Sequence, residues 1–316
     1  MDYLRARTYG LSLRPAAAPP AVRPTPAPAP AEPVEALERE VLALGPDRCL
    51  HTLRSLGVYY ASALEIPTLL REIGGLREVT FRAAGEGSGR AVDLDEFDDH
   101  YLHLFVWDHA ARVVVGAYRL GPTDVVTSRR GVRGLYTRTL FRYGRAFLRE
   151  LGPALELGRS FVRVEYQRDY GALLLLWQGI GRFVSRHPRY QRLFGPVSIS
   201  SAYSAASRDL LSSMLADPSR RSPFASLVAP RRPYGLHTTP TTPAMVANQA
   251  TVHRTVGEIE GDGTGVPVLM RQYLRLSAEV LSVSVDPAFS NVIDALMSVD
   301  LRRVPPGLRE RYLINS

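Results

Sequence analysis

Between Leu102 and Trp107 the chain alternates, with His103, Phe105 and Trp107 on one face and Leu102, Leu104 and Val106 on the other. A period of two predicts a β-strand, and "ARVVVGAYRL" repeats the signal after the turn "DHA". An acidic turn, "AVDLDEFDDH", precedes the pair. The spacing of "VEALEREVLALG" predicts a helix beginning near Glu35, and "LREVTFR" places Arg77 and Phe81 on one helical face. "YTRTLFRYGRAFLREL" reads as a helix ending before Gly152-Pro153.

The stretch from Ala154 to Val184 changes character twice. "ALELGRSFV" is an apolar strand that carries Glu156 and Arg159. A basic turn follows, and then "ALLLLWQGIGRFV", a helix with almost no polar face that belongs against a sheet. "YQRLFGPVSIS" predicts a fourth strand, followed by a helix with a serine-rich start suited to capping. "RRPYGLHTTPTTP" is a loop. The end reads helix, turn, helix, strand in "TVHRTVGEIE", "GDGTG", "VPVLMRQYLRL" and "EVLSVSVDP", then "FSNVIDALMSVDL". No internal repeat is visible. Strands interspersed with helices predict an α/β fold around a central mixed sheet flanked by helices.

Composition adds boundaries. Pro15 to Pro33 holds eight prolines among alanines, which favours polyproline II and predicts a disordered arm over residues 1–34. The folded part is expected as a single domain over 35–316 with a C-terminal helical extension. The 316 residues carry a net charge of +8, which points to acidic partners: nucleic acid, an anionic membrane surface or an acidic carrier protein. Every basic residue except histidine is arginine, which excludes a Schiff-base or P-loop lysine. A single cysteine, Cys49, excludes a disulfide framework and a multi-thiolate zinc site, and fits a cytoplasmic setting. The seven histidines show no ligand spacing, so no metal is expected. The first residues lack a signal-peptide core, and no run is long enough to span a membrane.

Two constellations compete for the chemistry. His103 and Asp108 form H-x4-D, the pattern of glycerolipid O-acyltransferases, yet strand alternation sends the two side chains to opposite faces. In "ELGRSFV" the same alternation puts Glu156 and Gly158 on one face and Leu157 and Arg159 on the other, unless a bulge intervenes. Asp93, Asp95, Glu96 and Asp98 crowd into "DLDEFD", and Arg119 ends the strand "VVGAYRL".

The series "LREVTF", "DEFD", "VVGAYRL" and "ELGRSFV", with "LLWQGIGRFV" behind it, resembles the GNAT-fold, acyl-carrier-dependent N-acyltransferases of the ornithine-lipid (hemolysin-labelled) type. More distantly it resembles the acyl-homoserine-lactone synthases. The likeness runs from about Glu65 to "DPAFSNVIDALMSVDL". It implies a GNAT-like fold and matches the family's charged motif positions to Arg77, Glu96, Asp98, Arg119, Glu156 and Arg159, with Asp95 adjacent. The pyrophosphate loop of ordinary acetyltransferases, Q/R-x-x-G-x-G/A, is reduced here to "QRDYGA". The donor implied is therefore an acyl-phosphopantetheine on acyl-carrier protein rather than acyl-CoA, with no permanently bound cofactor.

Under this resemblance Glu156, Arg159 and Glu96 are the catalytic candidates. Glu156 is expected to take the amine's proton directly or through water. Arg119 and Arg159 could hold an acceptor carboxylate in bidentate fashion, or keep buried acids ionised. Arg77, Asp98, Arg119 and Tyr203 are the substrate-binding candidates. Tyr203 lies where many GNAT enzymes place a thiolate-protonating tyrosine, with simple packing as the alternative. Val162, Gln167, Arg168 and Gly171 are the donor-binding candidates, at a helix N-terminus that suits a phosphate. The expected reaction moves a long, 3-hydroxylated or plain acyl chain to the amine of ornithine or a similar amino acid, giving a lyso-aminolipid. Acyl-homoserine-lactone synthesis and a non-catalytic basic membrane-surface protein are the alternatives. Expected partners are acyl-carrier protein, a reversibly bound anionic membrane at the cytoplasmic face, near Arg231 and Arg232, and a separate lipid O-acyltransferase. Nucleic acid is not expected.

Overall fold

The computed structural model of the protein describes residues 26–167, 171–237 and 242–312. Its strands in chain order are β1 (Cys49–Leu53), β2 (Leu56–Ser62), β3 (Leu102–Asp108), β4 (Val113–Pro122), β5 (Phe141–Tyr143), β6 (Ala154–Val162), β7 (Arg192–Ile199), β8 (Val228–Pro230), β9 (Glu279–Asp286) and β10 (Val292–Asp300). The span read as one domain divides into two compact units. One contains Pro26–Arg138, Leu151–Gly195 and residues 300–312; the other contains Thr139–Glu150 and Pro196–Val299.

In the first unit the sheet runs β1-β2-β3-β4-β6-β7. The pairs from β1 to β6 are antiparallel, and β6 pairs with β7 in parallel through Ala154–Glu156 and Arg192–Phe194, so the sheet is mixed. The β1–β2 hairpin was not evident in the pattern. Its two-residue turn carries Arg54 at φ 54°, where an asparagine or glycine is the usual signal. The turn after β3 is held by Asp108, whose Oδ1 accepts from the Ala110 and Ala111 N–H groups at 2.9 and 3.2 Å. That use of Asp108 accounts for half of H-x4-D: it is a turn residue.

The helix Gly171–Arg186 lies against this sheet and buries Leu175, Leu176, Trp177, Ile180 and Phe183. Each such side chain contributes roughly 1.5–3 kcal/mol. The approach is closest at Gly179, where a Cβ would stand 2.6 Å from Val58 Cγ1 and 3.1 Å from Leu104 Cδ1. The helix Pro306–Tyr312 sets Tyr312 edge-on to Trp177, 6.3 Å between centroids. Of the proline–alanine stretch, residues 26–33 are described. The Ala29 N–H donates to the Ala91 carbonyl (2.8 Å), and Arg82 donates to the Pro26 carbonyl (2.7 Å).

In the second unit the end of β7 is followed in sheet order by β10 and β9, and β5 pairs with β8. The helix Ala205–Leu215 is capped by Ser204, which accepts from the Ser207 N–H. "FSNVIDALMSVDL" forms β10, buried along nearly its whole length. The long helix expected over "YTRTLFRYGRAFLREL" does not form. The segment is a 3-10 turn at Tyr136–Thr139, then β5, then the short helix Phe147–Leu151. Long-range pairing of Phe141–Tyr143 with Val228–Pro230 overrides the local helical pattern.

Candidate active site

The site is built within the first unit by the helix Pro67–Ala83, the loop 93–101, β4 and β6. The helix and the loop meet at Gly74, where a Cβ would lie 2.6 Å from Val92 Cγ1, and the Asp93 N–H donates to the Gly74 carbonyl at 3.0 Å. The loop's aspartates hold its own backbone: Asp98 accepts from the Asp95 N–H and Asp95 from the Phe97 N–H, both at 2.9 Å. Their remaining valences face arginines.

The result is a chain of alternating charge. Arg77 Nη1 is 2.7 Å from Asp98 Oδ1, and Asp98 Oδ2 is 3.2 Å from Arg119 Nη1. Arg119 reaches Asp95 at 2.6 Å, Asp95 stands 3.6 Å from Arg159, and Arg159 Nε lies 3.2 Å from Asp93. The Arg77 end is sealed from water. Asp93, at the other end, is 3% exposed, while the side chains of Asp95 and Arg159 before it are 20% and 13% exposed. The chain of charges is therefore closed at both Arg77 and Asp93 and opens toward solvent between them, at Asp95 and Arg159.

Burial raises the Asp98 carboxyl, but Arg77 and Arg119 outweigh it and hold the group well below the usual carboxylate range. For Asp93, burial wins over Arg159, Arg77 and Arg119, and its pKa is raised. His103, buried, is held down at about 4 by desolvation and by Arg77, and its Nε2 sits 2.9 Å from the Asp98 carbonyl. His103 thus belongs to this cluster, and Asp108 does not. The guanidinium of Arg119 lies 5.0–5.7 Å from the Tyr136, Tyr101 and Phe97 ring centroids, an aromatic box around a buried cation.

Glu156 forms a second arm. Its Oε1 accepts from the Thr137 N–H at 2.7 Å and its Oε2 from the Tyr101 hydroxyl, while the Tyr101 hydroxyl accepts from the Tyr136 N–H at 2.9 Å. Burial raises its pKa against these hydrogen bonds. Space for the Tyr101 ring comes from Gly121, which pairs with Glu156 across β4–β6 and where any Cβ would overlap that ring.

Arg159 joins the two arms because of a bulge. The register of β4 against β6 shifts between Ala117 and Arg119, and Arg159 adopts φ 49°. Simple alternation is broken. The Arg159 guanidinium lies 5.0 Å from the Tyr136 ring centroid, with Nη1 3.3 Å from the Tyr136 hydroxyl.

Of the residues expected from sequence, Arg77, Asp98, Arg119 and Arg159 converge, and Glu156 is linked to them through Tyr101 and Tyr136. Glu96 does not converge: it is exposed, and its carbonyl lies 3.2 Å from His100 Nδ1. Tyr203 belongs to the second unit, where its hydroxyl donates to the Gly265 carbonyl at 2.7 Å. Val162 ends β6 and its carbonyl accepts from the exposed Gln167 at 2.7 Å. Gly171 opens the helix Gly171–Arg186, and Arg168 lies outside the described residues. Tyr101, Tyr136 and Thr137 escaped the sequence reading. The glycine inside "YRLGP" was the available signal, since a strand glycine marks a close approach.

Residues 76–178 match the family model of the acetyltransferase (GNAT) domain, and the cluster from Arg77 to Arg159 falls inside that stretch. The chain is 39% identical over 165 residues to the glycine N(alpha)-acyltransferase of Bacteroides thetaiotaomicron. It is 36% identical over 165 residues to that of Phocaeicola vulgatus. Each match covers 49% of this chain, which spans about half the length of these curated relatives, 49% and 51%. Among solved structures it is similar to the AHL synthase LasI, with 16% identity, 45% of this chain, 72% of that one and a TM-score of 0.31. It is also similar to the CoA-dependent acyl-homoserine lactone synthase BjaI with SAM and isopentyl-CoA, with 16% identity, coverages of 45% and 66% and a TM-score of 0.29.

Proposed function

We propose that this chain is an N-acyltransferase that moves an acyl group from a thioester to the amine of a small α-amino acid. The match to the acetyltransferase domain and the names of its relatives support acyl transfer to nitrogen. The observation that carries the acceptor is the partly exposed link of the charge chain. There a guanidinium and a carboxylate, Arg159 and Asp95, stand 3.6 Å apart, a charge pair complementary to a zwitterion. Arg159 takes the acceptor's carboxylate and Asp95 its ammonium; the buried ions behind them fix both in place.

After the ammonium loses one proton to water at this partly exposed link, the neutral amine nitrogen attacks the thioester carbonyl and then gives up a second proton, which balances the one taken up by the departing sulfur. The C–N bond forms, the C–S bond breaks, and the sulfur leaves as a thiol after taking up a proton. Asp98, held ionised by two arginines, is no base. Glu156 is buried and engaged by the Thr137 N–H and the Tyr101 hydroxyl, so the role proposed for it is to position Tyr136 and Thr137 rather than to transfer a proton directly. The donor is an acyl-phosphopantetheine on acyl-carrier protein, as the reduced "QRDYGA" loop suggests. A long chain then gives a lyso-aminolipid. The test is mass spectrometry of reactions containing palmitoyl-carrier protein or palmitoyl-CoA with glycine or ornithine. An N-palmitoyl amino acid is expected; no such product from any combination overturns the proposal.

A further inference from the structure

The helix Thr123–Arg130 ends in a tight turn that leaves Arg129, Arg130 and Arg133 exposed around Val132, itself 38% exposed. Other arginines of this unit meet acids: the exposed Arg71 and Arg189 reach Glu32 and Asp124, and the half-buried Arg48 and Arg112 reach Glu65 and Glu38. These three have no ion-pair partner among the described residues. The turn is firmly built. Gly131 adopts φ 65°, the Gly134 N–H donates to the Gly131 carbonyl at 3.0 Å, and a Cβ at Gly134 would stand 2.8 Å from Arg130 Cβ. The Gly134 carbonyl is engaged by His100 Nε2 at 2.9 Å, next to Tyr101. Two residues later come the backbone N–H groups of Tyr136 and Thr137 that bind Tyr101 and Glu156. Tyr136 is three positions after Arg133, a backbone path of at most about 11 Å.

We propose that this turn is the docking surface for the acidic carrier protein that delivers the acyl thioester. The inference rests on the thioester-donor reading above and adds where the donor's protein binds. Three unpaired guanidinium groups around one apolar side chain complement a small acidic protein surface with an apolar centre. An anionic membrane fits less well, since surface-bound segments generally muster about four to eight basic residues. The turn's attachment to the Tyr101–Glu156 arm sets the partner beside the candidate site.

The experiment compares the wild-type chain with the triple variants Arg129→Glu/Arg130→Glu/Arg133→Glu and Arg129→Gln/Arg130→Gln/Arg133→Gln, each checked by thermal melting. Binding of fluorophore-labelled palmitoyl-carrier protein is read by anisotropy at low and high salt, and binding to phosphatidylglycerol vesicles by co-sedimentation. Turnover is read with that donor and with palmitoyl-pantetheine, which carries no protein. Charge reversal is expected to weaken carrier binding by at least about tenfold, the lower range of electrostatic steering, and to raise the KM for the carrier donor alike. The glutamine variant should fall between, and the KM for palmitoyl-pantetheine should stay unchanged. Unchanged carrier binding, equal loss with both donors, or a loss seen only with phosphatidylglycerol vesicles overturns the docking surface. Turn-dependent carrier binding without acylation of any amine would instead overturn the proposed reaction and leave the docking surface standing.

Discussion

Arg159 holds a left-handed backbone conformation that costs a non-glycine residue about 1–3 kcal/mol. What it gains is contact with Tyr136, Asp93 and Asp95, and these raise its already high pKa despite burial. A lysine cannot reproduce the planar fork. Under the proposed reaction, Arg159→Lys should raise the KM for the amino acid at least about tenfold while the thioester's KM holds, measured by steady-state kinetics. Tyr101 couples Glu156 to the Tyr136 backbone. Tyr101→Phe leaves a buried N–H and a carboxylate oxygen unmatched and should cost about 1–3 kcal/mol in urea unfolding. Glu156→Gln separates positioning from proton transfer. A positioning role predicts less than a tenfold fall in kcat and an unshifted pH–rate profile. A general base predicts a fall of about 10²–10⁴-fold, and that result would remove the positioning role.

At the scale of elements, the site depends on two departures from regularity. The bulge in β6 turns Arg159 toward Tyr136, and Gly121 in β4 makes room for the Tyr101 ring. A straight β6 with a larger residue opposite would separate the two arms. The helix Gly171–Arg186 supports this arrangement from the other side of the sheet's core, pressed onto β2 and β3 at Gly179. Gly179→Leu places a side chain where Val58 and Leu104 already stand. It should destabilise the chain by about 1–3 kcal/mol, or more if the helix is forced off the sheet, and a shifted urea midpoint is the readout.

Across the whole molecule the buried ions make stability depend on pH. The folded pKa of His103, about 4, lies below its ordinary 6.5, so the unfolded chain binds the extra proton between those values. Stability is complete above about pH 6.5 and is lost as pH falls toward 4. Asp98, lowered, adds a further loss at more acid pH, while the raised Glu156 and Asp93 act in the opposite sense because their folded forms hold protons more tightly. A difference measurement isolates the histidine. His103→Gln, whose amide can still donate to the Asp98 carbonyl, should abolish roughly 3 kcal/mol of the pH dependence between pH 6.5 and 4. Urea unfolding across that range checks it; an unchanged pH slope in the variant would assign the loss to the carboxylates. Buried ion pairs contribute little net stability against apolar packing of equal volume, whereas breaking one costs about 3–5 kcal/mol. Their presence here is better explained by the placement of Arg159 and Asp95 than by stability.

Local pattern determined much of this protein. The period-two runs of β3, β4 and β6, the apolar helix after β6 and the capped helix after β7 are written in neighbouring residues, because burial of one face imposes the period. Arg119, Glu156 and Arg159 were legible as candidates because charges on apolar strands need partners, whereas Arg77, on a helix face, and Asp98, in an acidic turn, were marked by the family resemblance. Tertiary structure decided who those partners are. Tyr101 and Tyr136 look like ordinary aromatic residues until loop 93–101 folds over Gly121. His103 looks like a strand histidine until Asp98 presents its carbonyl. Glu96, indistinguishable from its acidic neighbours in sequence, faces solvent because the loop turns it outward. The segment after Tyr136 has a helical period, yet becomes a turn and a strand because its hydrogen-bond partners lie at Tyr101, Glu156 and Val228–Pro230. Those contacts span between about 20 and 90 residues of chain, and a local period carries no information about partners so distant.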